Sequence, residues 1–85
     1  MNTIPQDQVV PYWENQAALV LVGRKIKAVR YLYKKEAEGL GWASRSVVIE
    51  LDNGVLVWPS ADDEGNGAGV LFTTDKRVDT LPVIS

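Results

Sequence analysis

The clearest hydrophobic pattern in the chain is a pair of β-branched runs on either side of Asn53-Gly54. Asn-Gly readily takes positive φ at both central positions of a type I′ turn, so the pair predicts a two-residue β-hairpin loop. In that register Leu51 lies opposite Leu56, and opposed residues share one face of the sheet. The run from Val47 to Trp58 therefore predicts two paired strands.

The predicted register gives the hairpin two unlike faces. The wholly apolar face is expected in the core and contains Val47, Ile49, Leu51, Leu56 and Trp58. The second face contains Val48, Glu50, Asp52, Val55 and Val57. A half-apolar face is more than a solvated strand needs, so another strand, the N-terminal helix or a second subunit is expected to cover part of it. Val55 and Val57 are accordingly the candidate residues of an oligomer interface.

Residues before the hairpin predict one helix and one strand. Residues 1–6 are expected to form a flexible tail, and residues 7–85 a single domain. A helix is predicted from Pro11 to Leu21, because apolar residues recur there at helical spacing and Gly23 follows as a terminating residue. Residues 25–33 predict a strand whose imperfect alternation indicates a bulge near Ala28 to Arg30. Residues 34–44 are predicted to form a long hairpin loop with Trp42 folded back onto the domain.

Two more strands are predicted after the hairpin, which Pro59 ends. They cover residues 69–74 and residues 77–84, with Pro82 marking an edge strand or its end. One helix followed by five short antiparallel strands predicts a mostly β fold, a strongly bent small barrel of the SH3-like or Sm-like kind.

Length and composition limit what the domain can be. Eighty-five residues make one small core, and the absence of cysteine excludes disulfides, so a homo-oligomer is expected to supply the missing stability. The absence of cysteine and of a signal-peptide pattern predicts a cytoplasmic location. The longest apolar run, from Ala17 to Val22, is too short to span a bilayer, so no membrane association is expected.

The sequence contains no complete catalytic, metal or nucleotide motif, which predicts a non-enzymatic protein without a cofactor. Histidine is absent, so histidine-dependent triads and the commonest zinc ligand are excluded. Asp62, Glu64, Asn66 and Gly67 match the start of a calcium loop, but Thr73 stands where the bidentate Glu is required. A polar turn explains this loop better than a metal site does. A hydrolase acting through Asp62 and Asp63 is a distant alternative.

Charge is segregated along the chain although the net charge is only −2. Six of the nine basic residues lie between Arg24 and Lys35, with no acidic residue among them. Cations interleaved with aromatic rings grip single-stranded nucleic acid through phosphate contacts and base stacking. The candidates on this strand are Lys25, Lys27, Arg30 and Tyr31, and the Lys76-Arg77 turn is expected at the same rim. The alternative is a solvated basic face with Tyr31 and Tyr33 in the core.

The order of these elements resembles that of the Sm and Sm-like proteins. The features in common are a short helix, a bent strand, an Asn-Gly hairpin, and Asp62 and Asn66 four residues apart before an apolar strand. The chain is also similar to small phage-type proteins of marine origin that share that fold. The resemblance implies a ring formed by edge-strand pairing, with Asp62 and Asn66 facing the pore and contacting RNA bases. The sequence departs from the second Sm motif, because Lys76-Arg77-Val78 stands where an Arg-Gly pair is expected.

Two functions of different classes follow. The first is a non-enzymatic, ring-forming Sm-like protein that binds RNA or single-stranded DNA. The second is an SH3-like protein-interaction module, such as an accessory phage protein, in which segregated charge drives head-to-tail self-association.

Overall fold

The computed structural model describes residues 5–60 and 69–84. A short 3-10 turn, Gln6–Gln8, leads into the first helix. The elements are α1 (Val9–Leu21), β1 (Ile26–Tyr31), α2 (Lys34–Gly39), β2 (Val47–Leu51), β3 (Leu56–Pro59), β4 (Leu71–Thr73) and β5 (Thr80–Leu81). All five strands form one antiparallel sheet in the order β1-β2-β3-β4-β5. In the described residues the sheet is open, with β1 and β5 as its edges.

Helix α1 confirms the predicted N-terminal helix, starting two residues before Pro11. Proline is tolerated there because the N–H groups of the first turn have no partner within the helix. The Val22 N–H donates to the Ala18 carbonyl at 2.9 Å, and Gly23 then turns the chain with φ of +78°. Positive φ at this position favours glycine, which explains why the helix ends where the sequence predicts.

The β2–β3 hairpin has a loop one residue longer than predicted. Glu50 pairs with Leu56 rather than Val57, and the Leu51 N–H donates to the Val55 carbonyl at 2.8 Å. The Gly54 N–H donates to the Leu51 carbonyl at 3.0 Å, and Gly54 alone in the turn has positive φ, +86°. The type I′ prediction is therefore wrong. The loop has the geometry of a type I turn followed by a left-handed glycine, the usual three-residue hairpin connection.

A shift of one residue in register moves every side chain of β3 to the opposite face. Val57 now shares a face with Ile49, while Trp58 lies on the other face. The prediction of one core face and one partly solvated face is therefore wrong. Both faces of the sheet are apolar, and each has its own hydrophobic cluster.

The first cluster lies between the sheet and α1. Trp13 and Ala17 of α1 pack against its buried members, which are Val20, Leu51, Val57, Val78 and Leu81. Val57 is only 4% exposed, and Val55 packs against the same cluster. Val57 therefore belongs to the core of the chain, and half-buried Val55 packs against that core. Of the three covers expected for them, the N-terminal helix is the one observed, which corrects the assignment of Val57 to an oligomer interface.

The second cluster lies on the opposite face, under α2. Its buried members are Leu32, Ala37 and Val48, with Trp42, Leu56 and Trp58 packed against them. Helix α2 corrects the prediction that residues 34–44 form only a loop. The Glu36 carboxylate reaches back to accept the Tyr33 N–H at 2.7 Å, which satisfies one free donor at the start of the helix. Trp42 folds back onto this cluster, as predicted.

Strand β1 contains the predicted bulge, displaced towards its start. Its register with β2 shifts between Ile26 and Ala28 rather than at Ala28 to Arg30. A bulge increases the local twist of an edge strand and interrupts the regular ladder. Only the second half of β1 is consequently a regular edge.

The last two strands are shorter than predicted because side chains fix the connection between them. The Thr73 hydroxyl accepts the Asp75 N–H at 2.8 Å and donates to the Val78 carbonyl at 2.8 Å. This tight turn occupies residues that were assigned to β5, and Pro82 follows directly after Leu81. β5 is therefore a two-residue edge.

Candidate nucleic-acid interface

Strand β1 exposes three large side chains although its neighbour β2 is well covered. Ile26, Val29 and Tyr31 are all exposed, with Tyr31 at 63%. Each hydrophobic cluster is centred on the inner strands, so neither α1 nor α2 covers this edge. The ring of Tyr33, just beyond the strand, is 62% exposed. The alternative that these tyrosines are core residues is thus excluded.

The backbone of β1 also has free hydrogen-bonding groups. The Leu32 N–H donates to the Ser46 carbonyl at 2.9 Å, which marks Leu32 as facing β2. Because backbone groups alternate in direction along an antiparallel pair, Arg30 also faces β2, while Val29 and Tyr31 direct their N–H and C=O groups away from the sheet. The Tyr31 carbonyl accepts a hydrogen bond from Arg30 Nη1 at 3.1 Å. Among the described residues, the outer groups of Val29 and the Tyr31 N–H are therefore open to another strand or to a polar ligand.

The cations predicted on β1 differ in whether a carboxylate already binds them. Lys25 is exposed just before the strand. The Lys27 ammonium lies 3.7 Å from the Glu50 carboxylate. Arg30 donates two hydrogen bonds to Glu36, at 2.8 and 3.1 Å, and its guanidinium lies 4.3 Å from the centre of the Tyr33 ring.

These contacts shift the pKa values of the Arg30–Glu36 pair. The hydrogen bonds from Arg30 lower the pKa of Glu36, and the bond from the Tyr33 N–H lowers it further. The same hydrogen bonds raise the pKa of Arg30. Arg30 thus has a structural role in holding α2 against β1, a role that its position in a basic run did not indicate.

Lys76 and Arg77 lie at the end of the sheet where β1 starts. This end, the turn end, contains the loop 52–54 and the turn 74–79. Lys76 is exposed there, but Arg77 binds the Asp75 carboxylate and donates to the Leu19 carbonyl at 3.4 Å. Three strand spacings of about 4.8 Å separate β1 from β4, so these cations are not adjacent to Lys25.

Asp62 and Asn66 lie outside the described residues. Ser60 and Gly69, which flank the undescribed part of their loop, lie at the opposite end of the sheet, where β1 ends and α2 begins. We call this end of the sheet the α2 end. The Ser60 N–H donates to the Val70 carbonyl at 2.8 Å, and the Val70 N–H donates to the Ser60 hydroxyl at 3.1 Å. The predicted binding residues are therefore divided between two ends, with Tyr31 and the base of the acidic loop at one and Lys25 and Lys76 at the other.

Two cavities accompany α2. One, of about 310 Å³, is an apolar cleft between α2 and the sheet that includes Leu32, Leu40, Val48 and Trp58, with Arg30 and Glu36 at its border. The other, of about 400 Å³, is lined by Lys34, Ala37, Glu38, Trp42, Ala43 and Arg45. Trp42, which was predicted to fold back onto the domain, lines this cavity. Arg45 was missed because it stands apart from the basic run, and only the fold of residues 34–46 brings it to Lys34.

The described residues show neither a metal centre nor a membrane span. Within residues 5–60 and 69–84, no group of three or more acidic, histidine or cysteine side chains is placed to hold a metal ion. Neither α1 nor α2 combines the length and apolar character needed to cross a bilayer. Comparison with family models, with curated proteins and with solved structures gave no match to this chain.

Proposed function

We propose that this chain is a non-enzymatic module that binds RNA or single-stranded DNA along β1 and around α2. The observation that carries the proposal is the exposure of Tyr31 and Tyr33, at 63% and 62%, beside a group of cations. Exposed aromatic rings next to basic side chains provide both base stacking and phosphate contacts. Such binding does not depend on the base sequence of the nucleic acid.

The cations available for phosphate contacts differ from those the basic run suggested. Arg30 and Arg77 are held by carboxylates, so they contribute little free positive charge. Five cations are exposed and form no ion pair with any residue in the described parts of the chain: Lys25, Lys34, Lys35, Arg45 and Lys76. Three of them lie beside α2, so phosphate contacts are assigned mainly to the α2 end, with Lys25 and Lys76 at the turn end.

The proposal extends to an Sm-like ring. Its support is an N-terminal helix followed by five antiparallel strands, each paired with the next, with α2 inserted between β1 and β2. Within residues 5–60 and 69–84, the edge strands β1 and β5 also have no second strand partner. Pairing of β1 with β5 of the same chain would close a barrel, whereas pairing of β1 with β5 of a neighbouring chain joins the chains into a ring. The short β5 with Pro82 beyond it limits such a contact to a few backbone hydrogen bonds.

A second candidate is a protein-interaction module that uses the same edge without nucleic acid. It is favoured by the apolar character of β1, since Ile26 and Val29 are exposed and contribute nothing to phosphate binding. An exposed apolar edge strand is a ready template for pairing with another strand. Light scattering on the isolated chain distinguishes an oligomer from a monomer.

Fluorescence polarisation with labelled oligo-U, oligo-dT and oligo-dA at low salt tests the proposed function. We expect saturable binding below about 100 μM, the weak end of non-specific affinities. The variant Tyr31→Ala/Tyr33→Ala should weaken binding, whereas Tyr12→Ala on α1 is the matched control with an unchanged affinity. Absence of saturable binding to all three oligonucleotides overturns the proposal.

Charge-reversal variants test independently which lysines contact the phosphates. Lys34→Glu/Lys35→Glu at the α2 end should weaken binding more than Lys76→Glu/Lys25→Glu at the turn end, although both variants change the net charge equally. Equal losses would mean that bulk charge, not the α2 end, governs binding. Arg30 is unsuitable for reversal because its loss also breaks the hydrogen bonds that join Glu36 of α2 to β1.

A further inference from the structure

The cavity lined by Lys34, Trp42 and Arg45 is separate from the β1 edge. It lies on a different face of α2 from the apolar cleft, since the two share no lining residue. Resting on the proposed function, we infer that this cavity is a subsite for one nucleotide unit of a single strand. In this subsite the base stacks on the Trp42 indole, and the adjoining phosphate lies between the Lys34 ammonium and the Arg45 guanidinium.

The position of Trp42 is fixed by the chain around it. Gly41 turns the backbone with φ of +77° after α2, and the Trp42 N–H donates to the Ala37 carbonyl at 2.9 Å. The indole packs on the second hydrophobic cluster, with its ring centre 6.3 Å from that of Phe72. A ring already held in this way loses little freedom when a base stacks on it, which favours binding.

The charges around the cavity fit a phosphodiester. Lys34 stands at the first position of α2, and Arg45 lies shortly before β2, so the fold brings two cations from different elements to one cavity. Glu38 is its one acidic lining residue, which leaves a formal charge of +1. A phosphodiester carries a single negative charge and matches that value. Arg45 further offers a planar set of N–H donors suited to two phosphate oxygens.

The size of the cavity suits one unit of a strand and not a whole folded ligand. Its volume of about 400 Å³ is in the lower part of the range of small-molecule sites. Lys34, which lines the cavity, directly follows the exposed Tyr33 in the chain, so a strand long enough to pass from one face of α2 to the other can contact both. The subsite therefore adds to the surface on which the proposed function depends.

The experiment compares oligo-dT with an abasic oligodeoxyribose phosphate of equal length, using polarisation and tryptophan fluorescence. Trp42→Leu keeps an apolar side chain on the cluster but removes the stacking ring. We expect about tenfold weaker oligo-dT binding for this variant, the loss of one stacked base, and unchanged binding of the abasic strand. The fluorescence quenching caused by oligo-dT in the wild-type protein should also disappear.

Lys34→Glu/Arg45→Glu tests the phosphate contact without touching the core. This variant should weaken both strands, whereas the matched double reversal Lys25→Glu/Lys76→Glu should have a clearly smaller effect. Wild-type affinity and quenching in Trp42→Leu, together with weaker binding in Tyr31→Ala/Tyr33→Ala, would overturn the subsite and leave the proposed function standing. If no oligonucleotide binds the wild-type protein, both fail. Circular-dichroism melting confirms that each variant is folded.

Discussion

The Asp75 carboxylate and the Arg77 guanidinium form a two-pronged ion pair across the β4–β5 turn. Arg77 Nε donates to Asp75 Oδ1 at 3.0 Å, and Nη2 donates to Oδ2 at 2.7 Å. Nη2 also lies 3.4 Å from the Leu19 carbonyl, one of the last carbonyls of α1 that lack a helical partner. This contact links the turn to the end of the helix, so Arg77 joins the two layers of the first core.

Acid should destabilise the protein through Asp75. The side-chain hydrogen bonds from Arg77, aided by its backbone N–H, lower the pKa of Asp75 to about 2. An unfolded aspartate has a pKa of about 3.9, so this carboxylate contributes stability above about pH 4 that is lost as the pH falls towards 2. We expect the melting temperature of the wild-type protein to fall over that interval.

The matched measurement compares Asp75→Asn with Asp7→Asn, a change in the exposed 3-10 turn. Asp75→Asn should be less stable at pH 7 and lose stability less steeply between pH 4 and pH 2. Asp7→Asn should follow the wild-type curve. An Asp75→Asn curve parallel to the wild-type curve would show that another carboxylate causes the acid sensitivity.

The three-residue hairpin loop predicts that substitutions at Asn53 and Gly54 lower the free energy of unfolding by unequal amounts. Gly54 has φ of +86°, where a Cβ is unfavourable, so Gly54→Ala should cost about 1 kcal/mol or slightly more. Asn53 does not have positive φ; its side chain accepts the Val55 N–H at 3.2 Å. Asn53→Ala should therefore cost less than Gly54→Ala in chemical denaturation. Equal costs would indicate a type I′ turn after all.

Val57 should behave as a core residue and not as an interface residue. It is 4% exposed against α1, so Val57→Ala removes two buried methyl groups and should cost about 2 kcal/mol. Val22→Ala, at a position 73% exposed, is the control and should be close to neutral. Denaturation at two protein concentrations separates the possibilities, because an interface residue would make the loss depend on concentration.

Self-association, where it occurs, should depend on β1. Val29 is 59% exposed and its backbone groups face outward, so Val29→Lys places a charge on the edge without disturbing either core. We expect this variant to be monomeric in light scattering at concentrations where the wild-type chain associates, with an unchanged melting temperature of the monomer. Val22→Lys, at an exposed position directly after α1, is the matched control. Loss of association in this control as well would mean that added charge, and not the β1 edge, is responsible.

Several elements could be predicted from the sequence because their signals are local. The helical spacing before Gly23 predicts α1, and Asn53-Gly54 between two β-branched runs predicts a hairpin. The imperfect alternation after Lys25 predicts a bulge. Each of these depends on the backbone preferences of adjacent residues, which do not change with the remainder of the fold.

Helix α2 could not be predicted in the same way. It is short and contains charged residues and a glycine, a composition typical of a loop. It forms because Ala37 is buried on the sheet and because Glu36 binds both the Tyr33 N–H and Arg30. These partners are brought together by packing, which the local sequence does not specify.

The candidate site likewise combines features set by the local sequence with features set by packing. The sequence by itself determined the N-terminal helix, the five strands, the hairpin and the cluster of cations and aromatic rings around β1. Only the tertiary structure decided the hairpin register, because a two-residue and a three-residue loop suit Asn53-Gly54 almost equally, and burial of Val57 under α1 selects the longer one. It also decided which cations stay free, because Glu36 and Asp75 come within hydrogen-bonding distance of Arg30 and Arg77 only when the chain is folded.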